Sequence, residues 1–156
     1  MIDLKIVCGD DKYLPTYANE TDACMDLKVV VPNPAGFVLA PHHTKVFRTG
    51  VKVAVPEGYV MMMFPRSSTG VNLKCRLMNS TGIIDAGYRD EIKLAVHNFG
   101  EQSQIIEDGQ RVGQFMIIPR PKVNLTIVPD DDDFRNGDRG GGFGSTNFDG
   151  LGNRKL

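Results

Sequence analysis

A chain of 156 residues, 41% apolar and 24% charged, is long enough for one buried core and too short for two, and it holds no apolar run near the ~20 residues of a membrane span. Its formal net charge of -1 provides no global basic field. That excludes extended nucleic-acid binding through bulk electrostatics and leaves a small anion, held by a few local groups, as the charged ligand that fits. The opening M-I-D-L-K-I-V-C lacks the charged, apolar, small-residue order of a secretory signal, so a cytoplasmic location is expected. Cys8, Cys24 and Cys75 are odd in number, far apart and without C-x-x-C; they read as reduced, small apolar residues.

Proline and glycine punctuate the chain at short intervals, and the pieces between them read as strands. The apolar run 29–31 suits a strand covered on both faces. His42 and His43 sit in a P-H-H-T-K turn context and would face opposite ways on extended backbone, so with His97 they make no metal site. Val51, Val53 and Val55 alternate with Lys52 and Ala54, and the run 59–64 is a second two-sided strand. After Pro65 comes the one short helix that the sequence predicts, with Ser67 or Ser68 as its cap. A helix amino end presents free N–H groups, so P-R-S-S-T-G at 65–70 reads either as a phosphate cradle or as a plain capped turn with a surface arginine. It is not a Walker loop, because G-x-x-x-x-G-K is missing.

The stretch 79–91, N-S-T-G-I-I-D-A-G-Y-R-D-E, has the marks of a β-hairpin: two isoleucines, then an Asp85-Ala86-Gly87 turn. Asp85 at a strand end suits a general base aimed at water, and Tyr88 places a flat ring beside it; by itself, however, the stretch reads sooner as a plain turn with a strand aromatic. Ile92, Leu94 and Val96 alternate with Lys93, Ala95 and His97; 115–118 is a continuous apolar run; Val123, Leu125 and Ile127 alternate with Asn124 and Thr126. Long helical periodicity is absent, so the expected class is all-β, a sandwich or barrel whose edges are hidden by closure or assembly. The acids at 130–133 read as a solvated linker. Beyond them, R-G-G-G-F-G-S-T at 139–146 predicts a mobile arm whose arginine, lone aromatic and Ser-Thr pair can offer charge, stacking and amide donors to a nucleotide, or else a bare disordered tail.

Five segments in this order, D-A-C-M-D-L at 22–27, P-R-S-S-T-G at 65–70, the stretch 79–91, G-Q-R-V-G-Q at 109–114 and the glycine-rich 139–146, closely resemble the signatures of the homotrimeric dUTPases. The resemblance implies a distorted jelly-roll, β-barrel-like core over 1–133 with one short helix, and a mobile arm over 134–156 of the same domain. It implies a hydrolase that converts dUTP to dUMP and pyrophosphate, limiting uracil in DNA and supplying dUMP for dTMP synthesis. Asp85 would activate the water that attacks the α-phosphorus. Asn79 and the backbone of Gly82, Ile83 and Ile84 would pair with uracil, and Tyr88 would pack on the sugar and exclude a 2′-hydroxyl. Arg66, Ser67, Ser68 and Gln114 would hold phosphates; Lys93 is either a further substrate contact or a solvent-facing strand lysine. Mg²⁺ is expected across the phosphate oxygens, keeping most of its waters and touching Asp26 through one of them. Phe143 would stack on uracil, Arg139 would reach the terminal phosphate, and Gly144 and Ser145 would add contacts as the arm closes over a neighbour's site in a homotrimer.

The chain departs from the family pattern at Cys24 and Asp90, where glycine is usual, at Gln110, where an acid is usual, and at Arg139, one residue nearer Phe143 than usual. A dCTP deaminase shares the fold but not the stretch 79–91 or the phenylalanine-bearing arm. A nucleotide-responsive protein that captures a regulatory partner, as some phage members do, is compatible with the same motifs. Neither a membrane nor direct nucleic-acid binding is expected.

Overall fold

The computed structural model describes residues 2–137. Among these, strands follow one another as β1 (Lys5–Cys8), β2 (Met25–Lys28), β3 (Phe37–Leu39), β4 (Thr44–Arg48), β5 (Val51–Ala54) and β6 (Tyr59–Pro65). After the helix α1 (Ser67–Val71) come β7 (Cys75–Leu77), β8 (Gly82–Ile84), β9 (Lys93–Asn98), β10 (Gln104–Ile106) and β11 (Arg111–Pro119), then a short helix α2 (Asp132–Arg135). All pairing between strands is antiparallel, in four small sheets: β1 with β5, β3 with β10, β2-β11-β6-β8, and β4-β9-β7. A mostly-β fold with a short helix after Pro65 is what the sequence predicts.

Period-two alternation decides which residues turn inward. Val51 and Val53 of β5 and Leu94 and Val96 of β9 are buried, while Lys52 and Lys93 between and beside them face water. They join Leu27, Met61, Ile106, Val112 and Phe115 in one apolar core. The run 59–64 lies within β6, in the middle of the four-stranded sheet, which is why it is apolar on both faces. Cys8, Cys24 and Cys75 are free thiols. A first compact unit ends at Lys122 and a second begins at Val123.

Four local expectations are corrected. The run 29–31 is buried at Val29 and Val31 but makes only an isolated bridge, Val30 to Arg48. Val123, Leu125 and Ile127 form no strand and are 77%, 89% and 100% exposed. Alternation supplies an apolar face, but a strand also needs neighbours for its N–H and C=O groups, and among the described residues none pairs with 123–128. The acids at 130–133 start α2 instead of a linker: the Asp131 carboxylate accepts from the Phe134 amide at 3.1 Å, an N-cap bond, and Asp130 pairs with Arg135 at 2.7 Å. The fourth correction concerns the stretch 79–91 and belongs with the site.

Asp108 ties three distant segments together. One carboxylate oxygen accepts from the Val31 amide and the Tyr13 hydroxyl, each at 2.8 Å, and the other accepts from the Lys12 ammonium at 2.9 Å. The Val31 amide, helped by Lys12 and Tyr13 and opposed by burial, holds this carboxyl below the usual carboxylate range. A depressed folded-state value means that the network stabilises fully above the unfolded value near ~3.9 and loses that contribution as the pH falls through the lower folded value. Asp108→Ala is therefore expected to cost about 2–3 kcal/mol at neutral pH. In urea titrations the gap to wild type should narrow below roughly pH 4; a gap as wide at pH 3 as at pH 7 would mean that the charge is not what stabilises.

Candidate active site

β6 is the spine of the site. Pro65 closes it by removing a ladder donor, and α1 begins at once. The cap of α1 is Arg66, in extended conformation and without a side-chain cap bond, not Ser67 or Ser68 as the sequence predicts. The helix is fastened instead by buried Thr69, whose hydroxyl donates to the Val112 carbonyl at 3.0 Å. Ser67 is thus exposed and Ser68 half-buried, and the leading amides of the turn have no side-chain acceptor of their own.

Beside this turn, strand pairing brings Gln114 of β11 opposite Asp26 of β2 on one side and Phe64 of β6 on the other. Asp26 is buried, and both of its oxygens are taken: Arg66 Nε lies 2.7 Å from one and Arg111 Nη1 3.1 Å from the other. Arg66 also donates to the Arg111 carbonyl at 3.2 Å, and Gln114 to the Pro65 carbonyl at 3.1 Å. Arg66 stands between two open cavities. One, of about 360 Å³, is lined by Asp22, Asp26, Ser67 and Gln114; the other, of about 330 Å³, by Ser68, Gln110 and Arg111. Sequence reasoning quoted Arg111 within G-Q-R-V-G-Q but gave it no role. Its link to Asp26 depends on a register slip between Arg111 and Gly113, where an added Cβ would come within 3.0 Å of Leu94.

No group of three His, Cys, Asp or Glu among the described residues could cage a metal ion. The donor set still fits an ion carried by phosphates and met through its own waters. Asp26 keeps lone pairs beyond those facing the two guanidinium groups, and Asp22 lines the same cavity.

On the other flank of β6, β8 is held in register by Met61 opposite Ile84 and Met63 opposite Gly82. Gly82 is buried, and a side chain there would overlap the Met63 methyl and come within 3.5 Å of the Asn79 amide nitrogen. Ser80, between them, takes a left-handed φ of 57° that few side chains favour, a local strain between Asn79 and Gly82. Asn79, Ile83 and Asp85 are exposed; Ile84 is buried. The turn after β8 is closed by the Tyr88 amide donating to the Asp85 carbonyl at 3.0 Å.

The hairpin itself is the fourth correction: β8 belongs to the sheet of β6, and β9 to the sheet of β4 and β7, so the two do not pair. The turn is where the sequence puts it, but the chain leaving it is captured by the turn between β4 and β5. The Thr49 hydroxyl donates to the Ile92 carbonyl at 2.8 Å, the Gly50 amide donates to Glu91 Oε1 at 2.7 Å, and Arg48 Nε donates to Glu91 Oε2 at 2.9 Å. Tyr88, half-buried against the core, donates its hydroxyl to the Glu91 carbonyl at 2.9 Å. Glu91 carries no sequence signal of this role, because its partners lie some forty residues earlier. Lys93 opens β9 opposite Arg48 and faces outward.

The chain therefore gathers Asp26, Arg66, Ser67, Ser68 and Gln114 at one end of β6, and does not bring Asp85 to them. Asp85 follows Ile84, which pairs with Met61, and so stands level with Val60, while Arg66 lies past Pro65; at ~3.3 Å per residue the two are roughly 20 Å apart along the strand. Arg139, Phe143, Gly144 and Ser145 lie outside the described residues.

A family model described as dUTPase matches residues 10–147. The deoxyuridine 5′-triphosphate nucleotidohydrolase of Rhizobium etli is 33% identical over 143 residues, 92% of this chain and 90% of the relative. That of Ehrlichia canis is 36% identical over 135 residues, 85% of this chain and 86% of the relative. Among solved structures, the dUTPase of Staphylococcus bacteriophage 80alpha superposes with a TM-score of 0.73 at 25% identity, covering 83% of this chain and 98% of that one.

Proposed function

The chain belongs to the dUTPase family, and on that premise we propose how its residues divide the hydrolysis of dUTP to dUMP and pyrophosphate. Asp85, exposed at the end of β8, takes the proton of the water that attacks the α-phosphorus. Asn79 and the backbone of Gly82, Ile83 and Ile84 meet the uracil edge, in a slot kept narrow by a glycine that cannot carry a side chain without displacing Met63. Cytosine in that slot leaves a donor or acceptor unpaired, at a cost of about 1–3 kcal/mol. Tyr88 is the wall against the sugar.

Arg66, Ser67, Ser68 and Gln114 take the phosphates. Asp26 would hold a Mg²⁺ ion brought with the phosphates, through one of the ion's waters, and such an ion would supply positive charge to the phosphates. The carboxylate of Asp26 has a second task, which is to orient the Arg66 guanidinium by charge-assisted bonding. From the arm, Phe143 stacks on the base, Arg139 reaches the terminal phosphate, and Gly144 and Ser145 add contacts. Lys93 faces outward and offers a further substrate contact.

The observation that carries the reading is the register of β6, with Gly82 and Ile84 paired along one flank and Arg66, Ser67 and Ser68 following past its end. The same register supports a homotrimer. With roughly 20 Å between Asp85 and Arg66 along one strand, a triphosphate bridges base and cradle most readily when the two come from different subunits.

Pyrophosphate release measured against dUTP, dTTP, dCTP and UTP, with and without Mg²⁺, tests base, sugar and metal together. The expected outcome is turnover of dUTP at least ~10²-fold above the other three, and a marked loss on chelation. Comparable rates on UTP or dTTP would sink the slot and the wall.

A further inference from the structure

Residues 48–51 reach across to the segment that follows the Asp85 turn and hold the Glu91 carboxylate and the Ile92 backbone, while the Glu91 carbonyl accepts the Tyr88 hydroxyl. We propose that Glu91, anchored by Arg48 and Gly50, is a positioning residue that sets how closely the Tyr88 ring approaches the sugar, and thereby the selection of deoxyribose over ribose. This rests on the reading of Tyr88 as the sugar wall.

The side chain of Glu91 is only 16% exposed, although Arg89 and Asp90 before it are exposed and lie in no strand. Burial favours its neutral form, but the Gly50 amide and the Arg48 guanidinium outweigh burial and hold the carboxyl below its usual range. It is therefore a fixed anion. Gly50 has φ +71°, a left-handed conformation that glycine adopts without strain, and this turn aims the Gly50 amide at Glu91. Beyond the turn, Ile92 donates its amide to the Val51 carbonyl at 2.8 Å and accepts the Thr49 hydroxyl, so the backbone after Glu91 is pinned as well. Tyr88 is held at two points, its backbone by the amide bond to the Asp85 carbonyl and its ring by the hydroxyl bond to the Glu91 carbonyl. Releasing the second lets the ring pivot about its side-chain torsions. Excluding a single hydroxyl is a matter of about one ångström, the scale at which mispositioning changes rates by large factors.

The test compares kcat/KM for dUTP and UTP in Glu91→Gln, Tyr88→Phe, their double variant and Tyr88→Ala, with Ile106→Val as a control that weakens the core at β10, away from the site. Glutamine still accepts from Gly50 but presents an uncharged amide to Arg48. The dUTP/UTP preference is expected to fall roughly tenfold in Glu91→Gln, mainly through a lower KM for UTP, and comparably in Tyr88→Phe. The double variant should fall no further than the larger single effect, since both release the same tether. Ile106→Val should leave the preference unchanged while lowering Tm. If Glu91→Gln does not fold, Arg48→Gln loosens the same anchor from an exposed position and carries the same expectation. A preference unchanged in the anchor variants but lowered by Tyr88→Ala overturns the inference and leaves the sugar wall standing. A preference unchanged in Tyr88→Ala removes the wall itself.

Discussion

Asp85→Asn is expected to lower kcat for dUTP by about 10³-fold while the Kd for dUTP, measured calorimetrically on the stalled complex, stays within a few-fold of wild type. The amide has the carboxylate's shape and one acceptor oxygen, so it still holds a water at the end of β8, but it cannot take the proton that the attack on phosphorus releases. Asp85 is exposed and its turn is closed by backbone, the Tyr88 amide on the Asp85 carbonyl, so the substitution leaves the local fold intact. A turnover within tenfold of wild type would take the base role away from Asp85. A large loss of dUTP affinity would make the residue a binding group instead.

A second expected result concerns how the two halves meet. Asp85→Asn subunits and Arg66→Ala subunits are each expected to be nearly inactive alone, yet co-expressed and purified as mixed assemblies they should recover about one quarter of wild-type turnover. Each site then draws an intact Asp85 from one subunit and an intact Arg66 from another with even odds. The physical ground is the roughly 20 Å between these residues along β6, which one chain cannot shorten without breaking the β6–β8 ladder. Mixed assemblies no more active than the sum of their parents would place both residues of each site on one subunit.

The cradle was partly legible from residue types alone. Pro65 followed by serines predicts a short helix, and the helix is there, but its cap passed to Arg66 because the Arg66 side chain has a better partner in buried Asp26 than the turn could give it. The Asp85 turn was legible because turn chemistry is local; the missing hairpin was not, because the fate of 88–92 is decided by Thr49, Gly50 and Arg48. At 123–128 the alternation was read correctly and the strand does not form, since pairing partners are supplied by other segments and not by the pattern itself.

By itself, the sequence settled what period two and turn signals encode, namely which residues alternate inward and where strands stop; the resemblance of five motifs in order to those of the dUTPases came in addition. The first two are short-range properties of backbone and side chain, so they survive without knowledge of neighbours. Only the tertiary structure decided that Asp26 clamps Arg66 and Arg111, that the Glu91 carbonyl accepts the Tyr88 hydroxyl, and that Asp85 stands far from the Arg66 turn. Those follow from register between strands distant in the chain, where a slip of one residue, like the one at Arg111, turns a side chain to the opposite face.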